Sequence, residues 1–128
     1  MIERISPPGA PAPRGPYSPA VRAGDSIYVA GQIPIDPVSG AVVTGDIQKE
    51  TRQVLTNIKN ILEGCGSSLQ DVVRCGVYLT NPDDFKPMNE VYAEFFGEAK
   101  PARTTVIVAA LPLKDARVEI DAVAYSPR

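Results

Sequence analysis

Two charged side chains in the C-terminal third of the sequence carry the most chemical meaning. Arg103 follows Pro101-Ala102 at the entrance to a strand, where a stiff chain holds its guanidinium in place. A fixed, planar guanidinium can grip a carboxylate through two parallel hydrogen bonds. The alternative is an exposed arginine paired with a neighbouring acid. Glu119 lies in Val-Glu-Ile-Asp-Ala, between residues that read as core. A carboxylate beside a core strand is either half of a structural ion pair or a group that orients water. Alternation along a strand gives Arg103, Thr105 and Ile107 one face, and gives Glu119 and Asp121 one face of the next strand. Asp121 could share the work of Glu119; the plainer reading is a solvated or inter-strand charge.

Composition limits what else can act. The 128 residues include no His, no Trp and 2 Cys. Without histidine there is no Ser–His–Asp or Cys–His pair and no His-ligated metal site. Chemistry near neutral pH falls to carboxylates, Arg, Tyr, hydroxyls, thiols and backbone groups. Cys65 and Cys75 match neither a CxxC redox pair nor a zinc ribbon, and are expected as reduced thiols packed like small apolar side chains. Gly64-Cys65-Gly66 lacks a third glycine and follows a helix rather than a strand, so it is no dinucleotide fingerprint. Phosphate-binding loops, GxSxG elbows and EF-hand loops are also missing, and NAD, ATP or flavin chemistry is not expected.

The elements that must position these groups are readable in outline. The first 20 residues hold six of the 13 prolines and are expected to lie extended over the surface, neither helix nor central strand. Ser26 to Gly31 reads as a strand, Asp36 to Gly40 as a turn, and Ala41 to Val43 as a short strand. Ile47, Val54, Leu55, Ile58, Ile61 and Leu62 form the stripe of an amphipathic helix, which Asp46 can cap and Gly64 can end in a left-handed conformation. Val72 to Leu79 is the next strand. Phe85, Met88, Tyr92, Phe95 and Phe96 mark a second helix, capped by Asp83 or Asp84 and stopped by Gly97 and Pro101. Thr104 to Ala110 and Val118 to Tyr125 close the chain as strands. The order implies one α+β domain over residues 1–128, a mixed sheet with two helices on one face.

With 13 basic and 15 acidic residues the net charge is −2 and the pI about 5.1, and no basic cluster suggests nucleic-acid binding. The longest largely apolar stretch, Thr104 to Leu113, is far short of the ~18 residues of a membrane helix, and the N-terminus has no apolar signal segment. A soluble, cytoplasmic protein without membrane contact is expected.

Five short motifs add a further reading. Gly15-Pro16-Tyr17-Ser18, Gly31-Gln32-Ile33-Pro34, Asn89-Glu90-Val91-Tyr92, Pro101-Ala102-Arg103-Thr104 and Val118-Glu119-Ile120-Asp121-Ala122 occur in order. Together they resemble the RidA/YjgF family over nearly the whole chain. The resemblance implies a chorismate-mutase-like α+β fold and a homotrimer with sites in the clefts between neighbouring subunits. It also implies hydrolytic deamination of reactive enamines and imines (2-aminoacrylate, 2-iminopropanoate, 2-iminobutanoate) to 2-oxo acids and ammonia, with no cofactor and no metal. A His-free chain suits such substrates, which hydrolyse in water anyway.

By place in the motifs, Arg103 would bind the substrate carboxylate, Glu119 would position the attacking water, and Tyr17 would close the cleft with its hydroxyl near the leaving nitrogen. Backbone at Gly31 and Thr105 would hold the substrate edges, beside Ala30 and Asn89. Three positions depart from the family pattern: Ala30 replaces a common Ser, Thr105 a common Cys, and Ile107 a frequent Glu. The alternative is a non-catalytic trimer that binds or senses small carboxylate metabolites. Ribonuclease activity, ascribed to some members, fits poorly with an acidic, His-free chain.

Overall fold

A computed structural model describes all residues, 1–128. Helix α1 (Ile47–Gly64) forms where the apolar stripe places it, with Val54, Leu55, Ile58, Ile61 and Leu62 fully buried. Asp46 caps it by accepting from the backbone N–H groups of Gln48 (2.8 Å) and Lys49 (3.3 Å). Two polar residues on its buried side tie it to loops. Glu50 accepts the Arg117 backbone N–H at 2.8 Å, and Asn57 donates to the Ile35 carbonyl at 2.9 Å. Helix α2 (Phe85–Phe96) follows a turn capped by Asn81, and buries Met88, Val91, Tyr92 and Phe96. Asp84 precedes α2 without capping it; its carboxylate instead pairs with Arg117. Neither helix is long and apolar enough to cross a membrane.

Six strands make one mixed sheet: β1 (Ile2–Ile5), β2 (Ala20–Ala23), β3 (Ser26–Gln32), β4 (Val72–Leu79), β5 (Ala102–Ile107) and β6 (Val118–Tyr125). Their spatial order is β1-β2-β3-β6-β4-β5, with only β4 and β5 parallel. The helices cover one face, where Ile27, Val77, Leu79 and Ile120 meet α1 and α2 in the core. On the other face Tyr28 and Tyr125 are about half exposed, and no element of the chain covers them. The α+β architecture with both helices on one face is thus as the sequence implied.

Beyond the Asp84 cap, four details differ from the sequence reading. The strand expected over Thr104 to Ala110 runs instead from Ala102 to Ile107. The proline-rich start is extended, but its ends pair as β1 and β2. Four residues are too few to show alternation against a proline background, and β1 sits at the sheet edge, where one side needs no partner. Residues 41–43 form only an isolated bridge, Ile35 to Val42. Gly64 does not end α1 in a left-handed conformation; Gly66 does so at φ +80°. Gly64 is still helical, and a Cβ there would collide with the Pro7 ring.

Gly66→Ala should cost roughly 1 kcal/mol by forcing a β-carbon into the left-handed region. Gly64→Ala should destabilise too, reversing the gain that alanine normally brings inside a helix. Urea unfolding of both variants checks this, and a more stable Gly64→Ala protein would contradict the Pro7 contact.

Candidate functional site

Register decides which side chains can meet. Strand β4 aligns Cys75 with Arg103 and Val77 with Thr105 on β5; it aligns Gly76 with Asp121 and Tyr78 with Glu119 on β6. Paired residues share a face and neighbours alternate. Arg103 and Thr105 therefore lie on the helix-covered face, beside buried Cys75 and Val77. Glu119 and Asp121 lie on the opposite, open face. The residues singled out from sequence fall into two separate groups.

The first group gathers at the outer edge of the sheet under α2. The Arg103 guanidinium lies 4.7 Å from the ring centroid of Tyr92 and 5.7 Å from that of Phe85. No acid pairs with it, and no side-chain or carbonyl acceptor takes its N–H groups. The aromatic faces attract the cation without occupying its donors, so the fork stays free for a planar anion. Tyr92 is itself fixed by burial and by packing on Phe96 at 4.5 Å. Burial raises its phenol far above the usual range and lifts the neighbouring Cys75 thiol to about 11, so both stay neutral. Asn89 lies on the same side of α2 as Phe85 and Tyr92, and its buried Oδ1 has no hydrogen-bond partner.

The second group surrounds a cavity of about 470 Å³ lined by Arg14, Tyr17, Ala30, Gly31, Ile33, Pro112, Leu113 and Glu119. Strand β3 carries one extra residue between Val29 and Gln32 relative to β6, a bulge that turns the Ala30-Gly31 backbone toward this cavity. Gly31 leaves room there for Glu119, whose carboxylate in its present position a Cβ would strike. Glu119 makes no ion pair or hydrogen bond within the chain. Burial, and secondarily the charge of Asp121, hold its pKa above the ordinary carboxylate range. Asp121 has a structural role: it accepts from the Gly76 N–H (2.8 Å) and the Tyr78 hydroxyl (2.9 Å) and faces Arg74 at 3.9 Å. Tyr17 is half exposed, and its hydroxyl oxygen accepts the Arg14 backbone N–H at 3.1 Å. That leaves the Tyr17 O–H free to donate into the cavity.

Neither group holds three Cys, Asp or Glu side chains close enough to bind a metal ion. The arrangement offers a free guanidinium in one half and a free, partly desolvated carboxylate with a phenol in the other. Sequence reasoning missed the Tyr92 and Phe85 support, read there only as helix core, and it missed Arg14. Arg14 adjoins the Gly15-Pro16-Tyr17 motif, but nothing in spacing alone aims its side chain.

Residues 8–126 match the model of the family described as Endoribonuclease L-PSP. A RutC family protein of Pyrococcus horikoshii is 58% identical over 98% of both chains. A 2-iminobutanoate/2-iminopropanoate deaminase of Dermatophagoides farinae is 45% identical, over 93% of this chain and 92% of the relative. The crystal structure of RidA from Psychrobacter sp. PAMC 21119 superposes with a TM-score of 0.91 at 42% identity, covering 96% of this chain and 98% of that one.

Tyr92→Leu should weaken the grip of Arg103 on a planar carboxylate roughly three- to tenfold by releasing the guanidinium, whereas Tyr92→Phe keeps the ring and the affinity. Calorimetric titration with 2-oxobutanoate reads both; equal losses would remove the stacking role.

Proposed function

The chain belongs to the Endoribonuclease L-PSP family, which includes the RidA and YjgF proteins, and from that membership we propose that it hydrolyses reactive 2-imino acids to 2-oxo acids and ammonia. The substrates are 2-iminopropanoate and 2-iminobutanoate, with 2-aminoacrylate entering as the enamine tautomer. The reaction uses no cofactor. It proceeds in clefts of a homotrimer, each built from the Arg103 half of one subunit and the Glu119 half of its neighbour. The cytoplasm, where pyridoxal-phosphate dehydratases release such imines, is the setting that fits this chemistry.

One observation carries the reading: Arg103 and Glu119 are opposite charges, each left without a partner in its own chain. In a shared cleft, Arg103 grips the substrate carboxylate through two N–H donors. Thr105 and Asn89 border the same half, and the Ala30-Gly31 backbone borders the imine. Glu119 accepts a proton from a water as its oxygen bonds to the imine carbon, giving a tetrahedral carbinolamine. Glu119 passes that proton to the nitrogen, completing the carbinolamine. The carbinolamine hydroxyl then gives its own proton to the nitrogen by way of Glu119, the C–N bond breaks, and ammonia leaves as the carbonyl forms. Tyr17 donates its O–H toward that nitrogen. Most of the acceleration comes from positioning and electrostatics, since the imine is already electrophilic.

The test generates 2-aminoacrylate with a serine dehydratase and follows its decay with and without the protein. The wild type should accelerate decay, and Arg103→Ala and Glu119→Gln should each lower the rate at least about a hundredfold. No acceleration, with 2-oxobutanoate still bound, would leave a binding protein. Light scattering should give three times the chain mass of 13.7 kDa; a monomer would end the shared cleft.

The pH profile has a worked sign. Once the substrate carboxylate neutralises Arg103, burial and Asp121 still disfavour the Glu119 anion, so kcat should fall on acidification at a pH above the ordinary carboxylate range. Asp121→Asn should move that limb down. The same raised pKa makes the ionised Glu119 a stability cost at neutral pH. Its favourable contribution is complete below the unfolded-state pKa and is lost as pH rises through the folded one. With Arg103→Ala as the parent, so that no guanidinium faces the carboxylate across the cleft, adding Glu119→Gln should therefore give an equal or higher unfolding temperature at pH 7, and lose that advantage at pH 4.

A further inference from the structure

The Glu119 half contains a second cation that the hydrolysis above does not use. Arg14 lines the same cavity as Tyr17 and Glu119. Its place is set at two points: its backbone N–H bonds to the Tyr17 hydroxyl at 3.1 Å, and one terminal N–H donates to the Gly40 carbonyl at 3.2 Å. No carboxylate pairs with it, although Glu119 borders the same cavity and Asp36 lies on the adjoining turn. The other guanidinium donors have no acceptor within the chain. The same cavity is lined by the apolar side chains of Ile33, Pro112 and Leu113.

A cation and an apolar wall in one cavity suit a substrate with a short methylene chain ending in a second anion: Arg14 supplies the cation, and Ile33, Pro112 and Leu113 the apolar surface.

We propose that Arg14 is a second carboxylate-binding residue of the cleft, selecting imines of dicarboxylic amino acids over those of short aliphatic ones. This rests on the shared-cleft reading above, with Arg103 of a neighbour taking the carboxylate next to the imine. The reaction is the same: water adds across C=N, ammonia leaves, and the distal carboxylate is unchanged. Its binding to an accessible guanidinium through charge-assisted hydrogen bonds is worth roughly a five- to tenfold preference.

Calorimetric titration of the intact protein with 2-oxobutanoate and 2-oxoglutarate, the stable products of a short and a dicarboxylic imine, tests this. The wild type should bind 2-oxoglutarate roughly five- to tenfold more tightly. Arg14→Gln should remove that preference by weakening 2-oxoglutarate alone, and Arg14→Lys should restore part of it. Equal wild-type affinities, or a loss in Arg14→Gln that falls alike on both ligands, would overturn the proposal. The deaminase reading stands or falls separately. If the preference is present and follows Arg14 while 2-aminoacrylate decay is not accelerated, the dicarboxylate site holds and only the catalytic reading fails. If decay is accelerated and no preference exists, the reverse is true.

Discussion

The period of two in a β-strand governs this molecule. Register between β4, β5 and β6 sends Arg103 to the helix side of the sheet and Glu119 to the open side. No side-chain rotation brings groups on opposite faces together through a packed sheet. Each charge is therefore held half-buried without the partner that would neutralise it. Leaving them so costs the fold something, visible in the Glu119 carboxyl, whose pKa burial pushes up. Such a cost is expected where a site must keep its charges free for a ligand. In the proposed shared cleft, this separation means that a complete site needs the Arg103 half of one copy and the Glu119 half of another.

The other arginines of the chain show what structural use of this residue looks like here. Arg117 forks onto Asp84 with Nε at 3.1 Å and a terminal nitrogen at 2.6 Å, fixing the start of β6 against α2. Arg22 is buried and donates to the Ser126 carbonyl at 2.7 Å, tying β2 to the end of the chain. Arg103 does neither. It rests on two aromatic rings, which orient a cation while leaving its hydrogen bonds uncommitted. On the other side of the sheet the β3 bulge has a matching effect. It interrupts the ladder at Ala30-Gly31, and the absence of a Gly31 side chain makes room for Glu119. Both devices present polar groups to a ligand at the expense of pairing within the chain.

Much of this was legible in the sequence, and the misses have physical causes. The stripe from Ile47 to Leu62 and the Asp46 cap were readable because a helix records its environment every three or four residues. Alternation correctly put Arg103 with Thr105, and Glu119 with Asp121. It could not say that the two pairs face opposite ways, because that depends on which strands are neighbours and in what register. β5 pairs with β4, 23 or more residues earlier in the chain, and β6 with β4 and β3. The helix end was misread for a similar reason: Gly66 ends α1, and what Gly64 makes room for is Pro7, remote in sequence. Arg14 went unread because a side chain in an irregular, proline-rich segment has no period from which to infer its direction.

The central claim is that each site draws Arg103 and Glu119 from different chains. Arg103→Ala and Glu119→Ala proteins, each inactive alone, can be unfolded together in equal amounts, refolded and assayed for 2-aminoacrylate decay. A ring of three with shared clefts joins an intact Arg103 half to an intact Glu119 half in about a quarter of its sites, so activity should return to roughly that fraction of wild type. A refolded mixture that assembles as wild type does and remains inactive would contradict the account.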